Sequence, residues 1–194
     1  MNNINTEEYW NKKWSNSKSN RIDVYEKFNA IAKFIPKDSK ILDIGAGLGD
    51  LLSVIYQNGC LSENLYAADI SSESLMKTSL TIPEVNTIKL SYEPKEIEEK
   101  DFDVIIINHV LEHIETPEKY FNKWAKSLKP DGTIIVAVPL NDKPYIEHLR
   151  IYNYNNFEMF IRSLGYNYLI LTKQRPMGTE EIIGILSKSD KKLR

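Results

Sequence analysis

The sequence predicts an α/β fold, a doubly wound and mostly parallel sheet of seven strands that ends in an antiparallel C-terminal hairpin. Short apolar runs alternate with segments of helical periodicity, and this alternation is typical of parallel sheets with helices on both faces. The run FDVIIIN at 102–108 is apolar almost throughout, as expected of a strand covered on both faces. The last two apolar runs are joined by a short polar connection, which favours an antiparallel pair.

Each element follows from a local pattern. The spacing of apolar side chains predicts helices at 22–35, 48–56, 71–80, 117–128 and 157–164, and apolar runs predict strands at 40–44, 65–70, 85–90, 102–108, 133–139, 168–172 and 182–186. Pro36 ends the first helix, and Ser71 or Ser72 caps the third. Thr116 caps the fourth helix and Pro117 occupies its first turn. Residues 129–132 (KPDG) are predicted to form a turn before the fifth strand.

Composition narrows the class of protein. The chain has 194 residues, a length that fits one domain, and its net charge of -2 creates no strong field for nucleic acid. Its one cysteine, Cys60, rules out an internal disulfide, and we expect it to be a small buried side chain. The first residues are polar and acidic, and no apolar run is long enough to span a bilayer. We therefore expect a cytoplasmic protein without a membrane partner.

The strongest chemical signal is the segment ILDIGAGLGD at 41–50. Gly45 and Gly47 allow a sharp turn and a close approach of ligand to backbone, and the helix that follows offers free N–H groups. The G-x-G-x-G spacing differs from the G-x-G-x-x-G that places a pyrophosphate. Asp43 would repel a pyrophosphate but accepts a hydrogen bond from an ammonium group. S-adenosylmethionine has an amino-acid end and no phosphate, so the loop favours it; the alternative is a plain tight turn capped by Asp43.

A second acidic residue, Asp69, ends the run LYAAD about 20 residues after the glycine loop, the separation typical of an acid that binds two ribose hydroxyls. Two charge-assisted hydrogen bonds to a diol would hold and orient a nucleoside. The alternative is that Asp69 caps the helix that begins near Ser71, and the two roles are compatible. Ile70 follows and is placed to pack on an adenine ring.

The segment NHVLEHI at 108–114 follows the most apolar strand. Together with the glycine loop, Asp69 and the segment KPDGTIIVAVP at 129–139, it resembles the class I S-adenosylmethionine-dependent methyltransferases, which have a Rossmann-like fold. More narrowly, these motifs resemble the small-molecule branch that includes ubiquinone-biosynthesis and sugar or natural-product enzymes. The resemblance runs from about Thr6 to the C-terminus. It implies S-adenosylmethionine as cofactor and S-adenosylhomocysteine as product.

The resemblance also implies roles for individual residues. It assigns the methionine part of the cofactor to the glycine loop, the ribose and adenine to the ends of the next two strands, and the amino-acid end to the fourth strand; the residues are Asp43, Gly45, Ala46, Gly47, Asp69, Ile70, Ser91, Tyr92, Asn108 and His109. Trp14 lies in an aromatic lead-in that is common in the family. Ser91-Tyr92 departs from the family, in which an acid usually follows the third strand.

Histidines supply the candidate bases, since histidine titrates near neutral pH. His109 and His148 are the candidate catalytic residues, with a role in loop structure as the alternative for His109. We expect His113 to fix its loop by a hydrogen bond. The i, i+4 spacing of His109 and His113 resembles a metal pair, but the sequence places no third ligand beside them, so we expect no metal.

The segment 140–154 is the candidate acceptor side of a single methyltransferase domain at 1–194, and residues 1–20 are expected to cover the site. Tyr145, Tyr152, Tyr154 and Arg150 suit a ring-bearing or anionic small molecule, with ordinary loop packing as the alternative. The expected reaction is in-line methyl transfer to O or N of a small metabolite by a monomer or homodimer. Methylation of protein or RNA, and a non-catalytic cofactor-binding regulator or partner subunit, are the alternatives.

Overall fold

The computed structural model describes residues 4–18, 28–29, 31–32, 34–141, 145–174 and 180–189. The chain divides into two compact units, Met1–Glu93 and Pro94–Arg194. In chain order the helices and strands are α1 (Glu7–Ser15), β1 (Ile41–Ile44), α2 (Asp50–Gln57), β2 (Leu65–Asp69), α3 (Ser72–Thr81), β3 (Asn86–Lys89), β4 (Phe102–Asn108), α4 (Pro117–Trp124), β5 (Leu128–Leu140), α5 (Tyr154–Ser163), β6 (Asn167–Gln174) and β7 (Glu180–Ser187). Short 3₁₀ helices lie at Ser62–Asn64, Leu111–His113 and Ala125–Ser127.

The strand order is β3-β2-β1-β4-β5-β7-β6. The first five strands pair in parallel where their pairing is described, and β7 runs antiparallel to both β5 and β6. The predicted fold class, a Rossmann-like doubly wound sheet of seven strands with an antiparallel C-terminal hairpin, is confirmed. Among the described residues, no helix is long and apolar enough to cross a membrane.

The first unit is built around β1, whose four residues are all buried. β2 pairs with β1 in parallel, with Ile41 opposite Leu65 and Ile44 opposite Ala68. The apolar face of α2 supplies buried residues from Leu51 to Ile55. Cys60 is buried as predicted. Most of the predicted helix at 22–35 lies outside the described residues, although 28–29 and 31–32 are helical.

The predicted helix at 48–56 begins two residues later than expected, at Asp50. Gly49 precedes it with φ of 74°, a left-handed conformation that belongs to the turn rather than to the helix. The predicted cap of α3 is confirmed, because the Ser71 hydroxyl accepts the N–H of Ser74 at 3.1 Å. The N–H of Ser71 donates in turn to Oδ1 of Asp69, which ties the start of α3 to the end of β2.

The second unit has the strand order β4-β5-β7-β6, in which β7 lies between two strands that precede it in the chain. Its core holds the fully buried rings of Phe102, Phe121 and Phe157. α5 begins at Tyr154, three residues earlier than predicted. Asn153 and Asn156 form a reciprocal capping box there, a signal that the sequence interpretation missed because the usual box pairs Ser or Thr with Glu or Gln.

Residues 129–132 do not form the predicted separate turn, since they lie inside β5. The pairing of β5 with β4 steps from Leu128 opposite Phe102 to Thr133 opposite Val104, so the extra residues of β5 are taken up in an irregular register. Gly132 is needed there for space and not for a turn, because a Cβ would lie 2.8 Å from the Leu128 side chain. Thr116 makes no side-chain cap, although Pro117 begins α4 as predicted.

Candidate functional site

The glycine loop after β1 is held in a sharp turn by backbone geometry. Gly45, Gly47 and Gly49 have φ values of 73°, 57° and 74°, which residues with a Cβ adopt only at a cost. The N–H groups of Gly45 and Ala46 donate to the carbonyl oxygen of Ala68 at 2.7 and 3.2 Å. The loop is therefore fastened to the carboxyl end of β2.

Gly47 is the most constrained residue of this loop. Its N–H donates to Oδ2 of Asp69 at 2.9 Å, and its carbonyl accepts from the hydroxyls of Ser74 at 2.6 Å and Thr78 at 3.2 Å. A Cβ at this position would lie 3.2 Å from the indole of Trp14. Glycine therefore lets the Trp14 ring approach the loop, and the structure brings three sequence-predicted residues together: Trp14, Gly47 and Asp69.

Asp69 connects the glycine loop to the start of α3 by hydrogen bonds. Its Oδ1 accepts the N–H of Ser71 at 2.8 Å while its Oδ2 accepts that of Gly47. Asp69 therefore supports the N-cap residue of α3, whereas the cap itself is the Ser71 hydroxyl. Burial raises the pKa of Asp69 even though these N–H groups stabilise the carboxylate. Each carboxylate oxygen has a second lone pair, so the contacts leave acceptor capacity for a diol, as the ribose prediction requires.

Asp43 lies on β1 with 2% of its surface exposed. Burial, together with the nearby charge of Asp69, raises its pKa to about 8. Two carboxyl groups thus share the low-dielectric base of the glycine loop. A bound ammonium group would favour the ionised form of Asp43. The amino-acid end of S-adenosylmethionine carries such an ammonium group. The residues of the first unit fit this cofactor.

The lead-in helix α1 packs against α3 and the glycine loop through several polar contacts. Nζ of Lys77 donates to the carbonyl oxygens of Trp14 at 2.6 Å, Ser15 at 2.9 Å and Ser17 at 3.2 Å. Oδ1 of Asn11 accepts from the Ser71 hydroxyl at 2.7 Å and from the N–H of Glu73. These contacts fix the position of Trp14 over the loop.

The residues predicted for the adenine side follow β2 and β3. Nζ of Lys89 donates to the carbonyl oxygen of Ile70 and to Glu7 of α1. Ser91 is exposed and its hydroxyl accepts the N–H of Glu93. Tyr92 is also exposed. Neither position carries an acidic side chain, so the departure from the family seen in the sequence remains.

In the second unit, Asn108 ends β4 with its Oδ1 buried and without a hydrogen-bond partner among the described residues. Such an unsatisfied buried acceptor is costly unless a ligand or water pairs with it. This property agrees with the predicted position of Asn108 at a ligand.

His109 follows with φ of 56°, a strained value for a residue other than glycine. Its Nδ1 lies 3.3 Å from Oε1 of Glu112, and its Nε2 lies 3.3 Å from Oε2 of Glu181. Both glutamates are almost completely buried. Sequence reasoning missed Glu181, because it lies on β7, 72 residues from His109.

The remaining histidines meet beside Glu112. The rings of His113 and His148 lie 5.0 Å apart, and Nδ1 of His113 lies 3.0 Å from the carbonyl oxygen of Glu147, as its predicted loop role requires. One ligand atom from each of Glu112, His113 and His148 lies within 4.8 Å of the others. This group does not include His109, so it differs from the i, i+4 pair of His109 and His113 that the sequence analysis considered.

Comparison with known proteins gives consistent results. Residues 18–164 match the family model described as a methyltransferase domain. A ubiquinone biosynthesis O-methyltransferase of Rickettsia bellii is 33% identical over 104 residues, which are 52% of this chain and 42% of that protein. A ubiquinone/menaquinone biosynthesis C-methyltransferase UbiE of Campylobacter jejuni is 26% identical over 107 residues, which are 53% of this chain and 46% of that protein.

Among solved structures, a SAM-dependent methyltransferase from Aquifex aeolicus has a TM-score of 0.69 at 15% identity, covering 90% of this chain and 97% of that chain. The strand order and the glycine loop after β1 define the Rossmann-like class of nucleotide-binding folds. Within that class, the chain belongs to the class I S-adenosylmethionine-dependent methyltransferase family. It spans less than half the length of the two curated relatives.

Proposed function

We propose that the protein transfers the methyl group of S-adenosylmethionine to an oxygen or nitrogen atom of a small metabolite by in-line displacement. The observation that carries the proposal is the pair of buried carboxyl groups, Asp43 and Asp69, at the base of the glycine loop. When bound, the cofactor supplies a sulfonium methyl group. The chain has only to align the acceptor and exclude water.

The proposed roles in the first unit follow from its contacts. Asp43 accepts the cofactor ammonium, and the backbone of Gly45, Ala46 and Gly47 lies along the methionine part. Asp69 keeps its two N–H donors and uses its remaining lone pairs for the ribose hydroxyls. The rest of the proposed cofactor contacts come from Trp14 on one side and from Ile70, Ser91 and Tyr92 at the adenine.

In the second unit, Asn108 is proposed to meet the amino-acid end of the cofactor, and His109 and His148 are proposed to serve the acceptor. Because both ring nitrogens of His109 face carboxylates, His109 acts as a base only if an acceptor hydroxyl replaces one of those contacts. Whichever of Glu112 and Glu181 keeps its contact then holds the ring and stabilises its protonated form. Their role is positioning, as with the carboxylate of a catalytic triad.

The acceptor class is supported by two observations. The segment 145–154 carries exposed apolar and aromatic side chains, among them Tyr145, Ile146 and Tyr154, which suit a ring-bearing small molecule. The two relatives methylate oxygen and carbon according to their names, so the acceptor atom has to be measured. We also propose a cytoplasmic monomer or homodimer without a nucleic-acid partner.

Calorimetric titration with S-adenosylmethionine and S-adenosylhomocysteine tests the proposal. We expect binding in the micromolar range, weakened at least 100-fold in Asp69→Ala. The exposed residue Asp38 of the same unit gives the control Asp38→Ala, which should bind like the wild type. Absence of binding to either ligand would contradict the proposal. Binding without turnover on any of a panel of phenols, catechols and amines would favour the regulator or partner subunit instead.

A further inference from the structure

The second unit contains a group of three potential metal ligands, of which Glu112 and His148 also have proposed roles in the methyl transfer and His113 has none. Glu112 lies in the 3₁₀ helix after β4, His113 follows it directly, and His148 comes from the segment before α5. Their ligand atoms lie within 4.8 Å of one another. Donor atoms around one tetrahedral zinc ion lie about 3.4 Å apart, given metal–ligand distances near 2.1 Å. Rotamer adjustments of about 1 Å would bring the three together.

The hydrogen bond of His113 fixes which ring nitrogen faces the group. Nδ1 lies 3.0 Å from the carbonyl oxygen of Glu147, and a carbonyl only accepts, so Nδ1 carries the proton. The lone pair of the neutral ring is then on Nε2, which lies 3.9 Å from Oε1 of Glu112. A metal ion at this position could bind this lone pair and the carboxylate together. A metal-bound histidine makes the same second bond, from its other N–H to a carbonyl.

Glu112 brings a second observation that points to a ligand. It is 1% exposed, and its Oε2 has no hydrogen-bond partner among the described residues. A buried carboxylate oxygen without a partner is costly. The group therefore contains a buried carboxylate oxygen with unused acceptor capacity.

The backbone holds His148 in place beside these donors. The carbonyl oxygen of Glu112 accepts the N–H groups of Leu149 at 2.8 Å and Arg150 at 3.1 Å. The His148 ring also contacts the Tyr145 ring edge to face at 5.1 Å. Main-chain hydrogen bonds therefore bring His148 close to His113, which lies 35 residues earlier in the sequence. A preorganised binding site requires its side chains to be held in place in this way.

We propose that Glu112, His113 and His148 bind a divalent transition-metal ion, with Zn²⁺ as the first probe. Two imidazoles and one carboxylate are a donor set that suits zinc, iron, cobalt or nickel better than magnesium or calcium, which take oxygen ligands. Three protein ligands leave a coordination position for water or for an oxygen of a small molecule. The proposal does not rest on the proposed methyl transfer, because its test measures metal binding alone.

The test uses the full chain without an affinity tag, after treatment with a chelator and removal of the chelator. We expect calorimetric titration with Zn²⁺ to give one site of micromolar affinity or tighter. Replacement by Co²⁺ should give visible absorption bands that identify nitrogen and oxygen donors. Circular dichroism and thermal unfolding of each variant show whether it is folded.

His148 is half-buried, so His148→Asn should fold and should weaken Zn²⁺ binding at least 10-fold. Glu147→Gln is the matched control, because Glu147 contacts His113 through its main-chain carbonyl, and it should bind Zn²⁺ like the wild type. Absence of Zn²⁺ and Co²⁺ binding in the wild type would overturn the proposal. So would equal affinity in the wild type and a folded His148→Asn variant, since the ion would then be bound elsewhere.

Discussion

The carboxyl group of Asp43 connects folding and ligand binding at a single residue. Its pKa of about 8 arises first from burial and then from the charge of Asp69. At neutral pH the free protein therefore holds a proton at Asp43 that a bound ammonium group would displace. A residue of this kind makes both the affinity for a cationic ligand and the stability of the free protein depend on pH.

Cofactor binding should release a proton from Asp43 at pH 7. Because the carboxyl must ionise to pair with the ammonium, we expect affinity to rise about tenfold per pH unit between pH 6 and pH 7 and to level off near pH 8. Calorimetry in buffers of different ionisation enthalpy measures the number of protons released, which should approach one. No dependence of the heat on the buffer would contradict this role of Asp43.

Asp43 should also make the stability of the free protein depend on pH, but stability should fall where affinity rises. A carboxyl whose folded-state pKa is raised holds more protons in the folded than in the unfolded chain between about pH 4 and pH 8, so it lowers the free energy of unfolding as pH rises through that window. The Asp43→Asn variant has no carboxyl group to ionise at this position, so it lacks this fall in the free energy of unfolding. We expect its Tm to exceed that of the wild type by several degrees at pH 8 and to match it near pH 4.

That variant should also lose cofactor affinity, because an amide does not attract an ammonium as a carboxylate does. Asp38→Asn, at an exposed position, is the control and should change neither Tm nor affinity. A Tm of Asp43→Asn below that of the wild type at pH 8 would show that Asp43 stabilises the free protein, contrary to the prediction. Stability gained at the expense of binding is common at functional sites.

Local sequence carries the information for Asp43 and Asp69, since each lies at a strand end next to a recognisable glycine loop. It does not carry the information for Glu181, which reaches His109 only because β7 pairs with β5 and places Glu181 opposite Pro139. The meeting of His113 with His148 likewise depends on main-chain hydrogen bonds to Glu112. Residue types at a distance in sequence become a group only through strand pairing and loop packing.

At the scale of elements, the glycine loop and α3 fit each other closely at Gly49. A Cβ at Gly49 would lie 2.6 Å from Cγ2 of Thr78, and φ is 74°. We expect Gly49→Ala to lower the free energy of unfolding by about 2–4 kcal/mol, from backbone strain and overpacking combined. Chemical denaturation monitored by tryptophan fluorescence measures the change.

Gly165 offers a matched control for this prediction. Its φ of 73° is nearly the same, but a Cβ there would meet nothing within 4 Å. Gly165→Ala should therefore cost only the backbone term, about 1–2 kcal/mol. Equal decreases in the free energy of unfolding of the two variants would contradict this prediction. They would mean that the loop can move away from Thr78 without loss of stability.

The packing of α1 depends on Lys77, whose ammonium group donates hydrogen bonds to three carbonyl oxygens near the end of α1. Lys77→Met keeps the aliphatic stem and removes the donors. We expect hydrogen exchange in 7–17 to accelerate and cofactor affinity to fall about 3- to 10-fold, because Trp14 would no longer be held over Gly47. Hydrogen exchange with mass spectrometry and calorimetry measure the two effects.

The exposed residue Lys119, on α4 in the other unit, provides the control Lys119→Met, which should leave both measurements unchanged. If Lys77→Met binds the cofactor as tightly as the wild type while α1 exchanges faster, then Trp14 is not a cofactor contact. That outcome would remove Trp14 from the proposed site and leave the glycine loop intact.

Periodicity predicted which elements exist better than it predicted where they begin. The start of α5 depends on a box formed by two asparagines, and the turn expected at 129–132 is absorbed into β5. In the second case, Pro130 and Gly132 suggested a chain reversal, whereas pairing with β4 keeps the segment extended on both sides of an irregular register. Tertiary pairing thus overrides a local preference.

At the scale of the whole molecule, ligand binding should raise thermal stability. A ligand present at 100 times its Kd stabilises the folded state by about 2.7 kcal/mol, and in a chain of this size that corresponds to a rise in Tm of roughly 5–10 °C. Differential scanning fluorimetry with S-adenosylhomocysteine measures the shift, which should disappear in Asp69→Ala. ATP, which carries the phosphates that the loop does not suit, is the control ligand and should give no shift.

Most of the strand order could be predicted from the sequence, because alternating strands and helices with right-handed crossovers leave few arrangements of a parallel sheet. The short connection between the last two strands then fixed the antiparallel pair. What the pattern did not fix is the place of that pair, in which β7 and not β6 lies next to β5. Both strands are apolar, so composition alone does not decide which becomes the edge.

The position of β7 has a consequence for synthesis. β7 is the last described strand to leave the ribosome, yet β5 and β6 pair with each other only through it. Until it emerges, both earlier strands expose unpaired backbone edges, which favour association with other chains. The second unit therefore completes its sheet only after β7 has been translated, and a nascent chain stalled between β6 and β7 would expose these edges to chaperones.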